Sequence, residues 1–386
     1  MEENNFDNRR KKTIFALGLS SFLNDLGAEI VHSVWPVFVR EILKAPMSAL
    51  GIIDGLGEGT VNFSQAISGY LSDKVKKRKL FIWLGYLLSG ISRIGYAFSS
   101  FWTQLIPFKI FDRAGKIRDT PRDALVMEIA DHKRRVRTFG FLEAMDHLGA
   151  VSGIILAIIL IKILSIPKMF ILAAIPSVFA VCLVLQTIKE RARVKKPILK
   201  FFWKNLSSNL KKYFFAHLLF ALGFFSYSFL LIYARETGWS VNSIPILYLI
   251  IMASMATMAY PTGRLADILG KKKVIILAYL FWALAALGFS LGFKNSLVVP
   301  LVVLFGFAKA ALRPSQVTFI LEKAPAENKA SILGFFLMAS GFFYFLASFL
   351  AGLLWETFGR EIAFSFAFLT SILAIFLMLF VKERRI

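Results

Sequence analysis

The 386-residue chain is 57% hydrophobic and 15% aromatic, and only 18% of it is charged. Soluble domains average roughly 45 to 50% apolar and about 25% charged residues, so a water-soluble enzyme, a disordered tail and a coiled coil are all excluded. Forty-six Lys and Arg against 24 Asp and Glu give a net charge of +22, which has to be read through its distribution along the chain.

A hydrocarbon core of roughly 30 Å needs about 20 apolar residues at 1.5 Å rise. Twelve stretches qualify, near 14–39, 47–71, 80–98, 102–127, 138–162, 167–187, 213–235, 243–263, 274–292, 297–320, 331–355 and 360–381. The first carries Asp25 and Glu29 and lacks a small-residue cleavage site, so it reads as a retained span and not a signal peptide. The basic runs Arg9–Lys12, Lys74–Lys79, Lys133–Arg137, Lys189–Lys212, Lys271–Lys273 and Lys382–Arg385 all fall on one side of a twelve-span chain. By the positive-inside rule that side is cytoplasmic, with both termini on it, in a multi-pass protein of the cell (inner) membrane. The excess positive charge therefore reports topology and affinity for anionic membrane lipids, and nucleic acid is not expected as a partner.

The single cysteine, Cys182, allows no intrachain disulfide, and His32, His132, His147 and His217 show no metal-ligand spacing among themselves. No phosphate-binding loop and no nucleophile constellation is present, so neither direct ATP drive nor an enzyme is expected, and no cofactor.

The chain repeats itself. Gly69-Tyr-Leu-Ser-Asp73-Lys-Val-Lys-Lys-Arg-Lys79 recurs 194 positions later as Gly263-Arg-Leu-Ala-Asp267-Ile-Leu-Gly-Lys-Lys-Lys273. Near the same offset Lys116 and Pro121 match Lys309 and Pro314, Gly140-Phe141 matches Gly334-Phe335, and Arg40-Glu41 matches Arg235-Glu236. Several matches in one register imply a duplicated unit: an N-terminal six-helix bundle over 1–187, a basic cytoplasmic linker over 188–212, and a C-terminal six-helix bundle over 213–386.

These residues resemble the major facilitator superfamily of secondary transporters. The Gly69–Lys79 segment is similar to that family's G-x-L-x-D-R-x-G-R-R loop motif, with Lys74 at the basic position; the second copy keeps a second glycine, Gly270, and has Ile268 at the basic position. Asp112-Arg-Ala-Gly-Lys-Ile-Arg118, followed by Pro121-Arg-Asp-Ala-Leu125, resembles a prokaryotic subgroup of the superfamily. The resemblance implies an all-α fold of two pseudo-symmetric six-helix bundles. It also implies a conformational switch at Gly69, Asp73, Lys74 and Asp267, in which a carboxylate at a helix end pairs and releases; a solvated interfacial aspartate is the competing reading. Lys109 stands where the family usually has arginine, keeping the charge and losing the bidentate fork.

Ionisable side chains inside a bilayer are costly and face water or one another. Asp25, Glu29 and His32 lie within roughly 60° of one face of span one, at about 100° per residue. Span two adds Asp54 and Glu58, span three Arg93, and span five Glu143, Asp146 and His147. On a continuous helix, span four directs Lys109, Asp112, Arg113, Lys116, Asp119 and Asp123 to one broad face and Arg118 and Arg122 to the other. In the second half Phe220 and Phe224 replace Asp25 and Glu29, and only Lys309 and Arg313 recur in span ten. The N-terminal half is therefore expected to carry ion coupling, and the C-terminal half, with Phe224, Tyr227, Phe343 and Tyr344, to supply apolar cavity wall.

Two close carboxylates raise each other's affinity for a proton, so Asp25 and Glu29 are candidates for proton exchange, with Lys116 and Arg113 as counter-charges; a structural ion pair is the plainer alternative. The coupling and substrate set thus comprises Asp25, Glu29, His32, Glu58, Asp112, Arg113, Lys116, Asp146, Lys309 and Arg313. The glycines Gly140, Gly149 and Gly153 resemble a fifth-helix motif of family antiporters and equally suit close packing. The reading is a monomeric, proton-coupled exporter of a small amphipathic molecule. Uptake of an organic anion held by Lys116 and Lys309, uptake of a divalent metal at Asp25, Glu29 and His32, and a transport-dead sensor are the alternatives.

Overall fold

The structure, a computed structural model, describes residues 2–75, 77–131, 135–188, 206–325 and 329–382. It is all-helical over these residues: α1 Glu2–Val37, α2 Met47–Val75, α3 Arg78–Phe98, α4 Leu105–Ala114, α5 Asp119–Ile129, α6 Arg135–Leu160, α7 Ile166–Thr187, α8 Ser208–Ala221, α9 Tyr227–Glu236, α10 Ile244–Leu269, α11 Lys271–Ser290, α12 Val298–Lys323, α13 Lys329–Phe358 and α14 Arg360–Leu379. Among the described residues nine helices are long and apolar enough to cross a membrane. The other three spans are α2, with its buried Asp54, and two spans broken in mid-course: span four into α4 and α5, span seven into α8 and α9. Together they make the twelve spans of two six-helix bundles. The basic linker falls mostly outside the described residues.

The chain forms two compact units, Met1–Phe38 with Thr60–Ile198, and Val39–Gly59 with Leu199–Ile386. The second unit thus takes in a piece of the N-terminal half, which the sequence boundary did not anticipate. A π-helical turn, Phe38–Ile42, closes the first span where the units divide. Within the second unit, Gly51 and Gly55 of α2 lie against the backbone of Ser348 and Phe345 of α13, where any Cβ would collide. Bare backbone on one helix lets the other approach closely. Glu41 pairs with Arg235 at 2.6 Å, and Asp54 accepts from the hydroxyl of Ser226, the N-cap of α9, at 2.7 Å.

The two copies of the loop motif brace their bundles in the same way. Arg78, opening α3, pairs with Glu128 at the end of α5 at 2.7 Å, and Lys271, opening α11, pairs with Glu322 at the end of α12 at 3.1 Å. The next residues, Lys79 and Lys272, donate to Leu185 O of α7 and Leu379 O of α14, at 2.7 and 3.2 Å. A cation on the free carbonyls of a helix C-terminus offsets the negative end of its dipole.

Candidate functional site

The break in span four creates the site. Gly115–Arg118 forms a 3-10 turn between α4 and α5, and Gly115 sits so close to Gly85 O and Ser89 Oγ of α3 that a Cβ would meet them at 2.7 and 2.6 Å. A 3-10 turn advances about 120° per residue instead of 100°, so four residues rotate the helix beyond them by roughly 80°. This corrects the face assignment made from a continuous helix. Arg118 and Arg122, placed on the far face by that assignment, turn into the first unit. Arg118 is 4% exposed, reaches Asp25 at 3.8 Å and Asp119 at 3.7 Å, and lies 4.9 Å from the ring centre of Tyr86. The counter-charge of Asp25 is therefore Arg118 and not Lys116, which stands within electrostatic reach of Asp119 and Asp146.

Asp146 of α6 pairs with Arg122 at 3.2 Å, and Arg122 also contacts Asp123 at 3.1 Å and donates to Ser21 Oγ at 2.5 Å. Gln65 of α2 donates to Asp119 at 3.1 Å. Nearer the other end of span one, Arg113 donates to His32 Nε2 at 3.0 Å, and His32 Nδ1 lies 3.3 Å from Glu29. Arginine only donates, so Nε2 accepts and Nδ1–H donates to Glu29, which makes the imidazole neutral. Asp112 lies 3.8 Å from the Arg113 guanidinium. The arc of span one is thus divided: Asp25 faces Arg118 while Glu29 and His32 hold each other.

Behind this network Arg93 is buried, at 1% exposure. It donates to Asn24 O, Asn24 Oδ1, Ala173 O and Ser177 Oγ at 2.9, 3.2, 2.9 and 2.6 Å, tying α3 to α1 and α7. Lys109 is also buried, its ammonium 3.8 Å from the Trp35 ring centre. Glu143 and His147 are mostly exposed and lie 4.0 Å from each other. Gly149 and Gly153 pack against Phe22 O and Leu26 O of α1, so helix packing accounts for both.

The second unit is different in kind. Phe220 stacks on Tyr279 with ring centres 3.9 Å apart, and Phe224 packs among Phe220, Trp282 and Phe305 at 5.1 to 5.5 Å. Phe224 is 6% exposed and belongs to this aromatic core. Lys309 stands over Phe305, 5.5 Å from its ring centre. Glu58 and Arg313, both exposed, lie within electrostatic reach of Tyr344. Asp267 is exposed near the end of α10. Gly69, Asp73 and Lys74 lie in the last turns of α2, which continues through the expected loop to Val75; their side chains lie outside the described residues.

Known proteins share this organisation. The sequence model of the Major Facilitator Superfamily matches residues 17–231 and 213–385, two overlapping matches that cover nearly the whole chain. An uncharacterised MFS-type transporter of Methanocaldococcus jannaschii is 31% identical, over 99% of this chain and 98% of that one. The chain belongs to the Major Facilitator Superfamily. Among solved superfamily structures, the nucleoside transporter NupG aligns with a TM-score of 0.78 at 16% identity, over 96% of this chain and 100% of that one. A D-xylose-proton symporter aligns with a TM-score of 0.73 at 14% identity, over 96% and 98%. The protein is thus an MFS-type secondary transporter, an integral membrane protein that carries a small molecule.

Proposed function

We propose that this transporter works by alternating access between its two bundles and couples movement of a small amphipathic solute to protons, in the direction of export. The observation that carries the reading is the sharing of cations by acids in the first unit. Arg118 serves Asp25 and Asp119, Arg122 serves Asp123 and Asp146, and His32 joins Glu29 to Arg113. No member can change charge without changing the partner of another. A proton on His32 Nε2 would set two donors face to face and part span one from span four. In a membrane such charges persist where they face one another or water.

The D-xylose-proton symporter supports the reading by showing that the fold accommodates proton coupling. The basic loops support a cytoplasmic position for both termini in a cell membrane, with anionic lipid around them. The metal alternative is disfavoured because Asp25 is paired with Arg118 while Glu29 and His32 bond each other. Lys116 and Lys309, the candidates for an organic anion, have acids and an aromatic ring as their respective neighbours.

The test is flux in proteoliposomes loaded with a pH-sensitive dye, under an imposed pH gradient, with uridine, dialanine, xylose and ethidium as solutes. Proton movement coupled to ethidium is expected, uphill in the outward direction for a right-side-out protein. A transported solute indifferent to the gradient would sink the coupling, and uphill uptake would reverse the direction.

A further inference from the structure

One polar junction is built twice in this chain. In the first unit Tyr86 of α3 bonds Ser21 of α1 at 3.1 Å, Ser21 accepts from Arg122 of α5, and Arg122 pairs with Asp146 of α6. In the second unit Tyr279 of α11 lies 3.2 Å from His217 Nδ1 of α8, Gln316 of α12 lies 2.7 Å from the same nitrogen, and Ser340 of α13 lies 3.0 Å from His217 Nε2. Tyr86 and Tyr279 are 193 positions apart, Arg122 and Gln316 194, and Asp146 and Ser340 194. Equivalent positions on three pairs of equivalent helices therefore take part in both junctions, one with an ion pair and one with other groups; on the fourth pair Ser21 and His217, 196 positions apart, lie outside that register.

The second copy is uncharged. Ser340 gives its hydroxyl hydrogen to Phe336 O at 2.7 Å, so His217 Nε2–H donates to Ser340. Nδ1 then offers its one lone pair to the shorter contact, the Gln316 amide at 2.7 Å, with the Tyr279 hydroxyl beside it, and the imidazole is neutral. Four helices can evidently be joined at this point without any ion. A buried ion pair loses much of its attraction to desolvation, and neutral groups of similar size often replace it with no loss of stability. Bracing alone therefore does not account for the charges in the first copy.

Their surroundings give the pair somewhere to go. Arg122 has a second carboxylate in contact, Asp123, at 3.1 Å and 47% exposed. Asp146 is 27% exposed and faces Asp25 of α1 and Lys116 of the 3-10 turn; Arg122 also faces Tyr86 of α3 and Asp119. We propose that Arg122 and Asp146 form the proton-exchanging pair of the first unit. With Asp146 ionised, Arg122 ties α5 to α6. A proton on Asp146 removes the charge that holds it, Arg122 stays with Asp123 and Ser21, and α6 is released from α5. The proposal names the site behind the proton coupling proposed above and rests on that reading for its role in transport.

Its test needs no known solute. Infrared difference spectra of the full chain in lipid nanodiscs are recorded over roughly pH 5 to 9, a window wide enough for a perturbed carboxyl. The expected wild-type result is a carboxylate-to-carboxyl conversion accompanied by a change in the backbone amide band. Arg122→Gln with Asp146→Ser places the neutral copy's residues at both positions of the pair, and should fold and lose both signals. Asp146→Asn, which keeps an oxygen for Arg122 and removes the charge, should show the low-pH amide band at every pH. An amide change that persists in the double variant, or an Asp146→Asn spectrum that still responds to pH as the wild type does, would overturn the proposal. A wild type that keeps the infrared signature but transports without regard to the pH gradient would remove the coupled function and leave the titrating pair. Coupled transport with the amide change intact in the double variant would do the reverse.

Discussion

Arg93 is the residue at which competing terms can be separated most sharply. Its guanidinium makes four hydrogen bonds to oxygens of α1 and α7; among the described residues its Nε has no hydrogen-bond partner and no carboxylate touches it. Burying such a cation costs several kcal/mol, so replacement by a neutral side chain of similar length removes a penalty as well as a clamp. Polar contacts in membrane proteins are worth about 0.6 kcal/mol each on average, and four amount to about 2.4 kcal/mol; charge-assisted bonds lie higher, at about 1.5 to 3 kcal/mol each. The backbone oxygens of Asn24 and Ala173 would also lose a donor in a buried site. At the charge-assisted figure the four bonds amount to about 6 to 12 kcal/mol, which outweighs a desolvation cost of several kcal/mol, and Arg93→Met should destabilise by about 2 to 3 kcal/mol. Arg93→Ala should lose roughly 2 kcal/mol more through the cavity it leaves. Equilibrium unfolding in mixed detergent micelles measures both. An Arg93→Met protein as stable as the wild type would show that desolvation dominates, and the clamp argument would fail.

Three further outcomes are expected. Asp25→Asn, which removes the acid that faces Asp146 beside Arg118, should leave the protein folded and weaken proton-driven accumulation while sparing downhill exchange; coupling equal to the wild type's in proteoliposomes would remove Asp25 from the mechanism. Lys79→Met and Lys272→Met should each cost about 0.3 to 1 kcal/mol, as helix C-terminal cations do; because they brace different units their effects should add in the double variant, and strong non-additivity in the same unfolding assay would contradict that independence. Gly149→Val would drive a branched side chain into the backbone of Phe22 on α1, at about 1 to 3 kcal/mol or more; a fully stable, correctly inserted variant would show that the two helices are not held this closely.

Particular residues show how far the letters carry. Span number, all-helical class and duplication follow from apolar run length and from motifs such as Gly69–Lys79 and Gly263–Lys273, because hydrocarbon thickness and backbone hydrogen bonding leave few alternatives. Concentration of ionisable groups in the first half is equally visible, and so is the replacement of Asp25 and Glu29 by Phe220 and Phe224. The partners were not visible. A regular 100° advance sends Arg118 and Arg122 away from the bundle, and the 3-10 turn at Gly115–Arg118 brings them in. The glycine beside a run of charges was a hint that the helix need not be regular there. The repeat offset, applied past the loop motif, would also have aligned Arg122 with Gln316 and Asp146 with Ser340.

Sequence alone determined that this chain lies in a membrane as two copies of one six-helix plan with unequal chemistry, since hydrophobic length and repeat register are local properties that survive without coordinates. Tertiary structure decided which acid meets which base, and that Val39–Gly59 joins the second unit. Those outcomes depend on phase shifts of a few tens of degrees at one helical break and on bare glycine backbone at one crossing. Such terms are small for any single residue, and they become decisive only when whole helices pack.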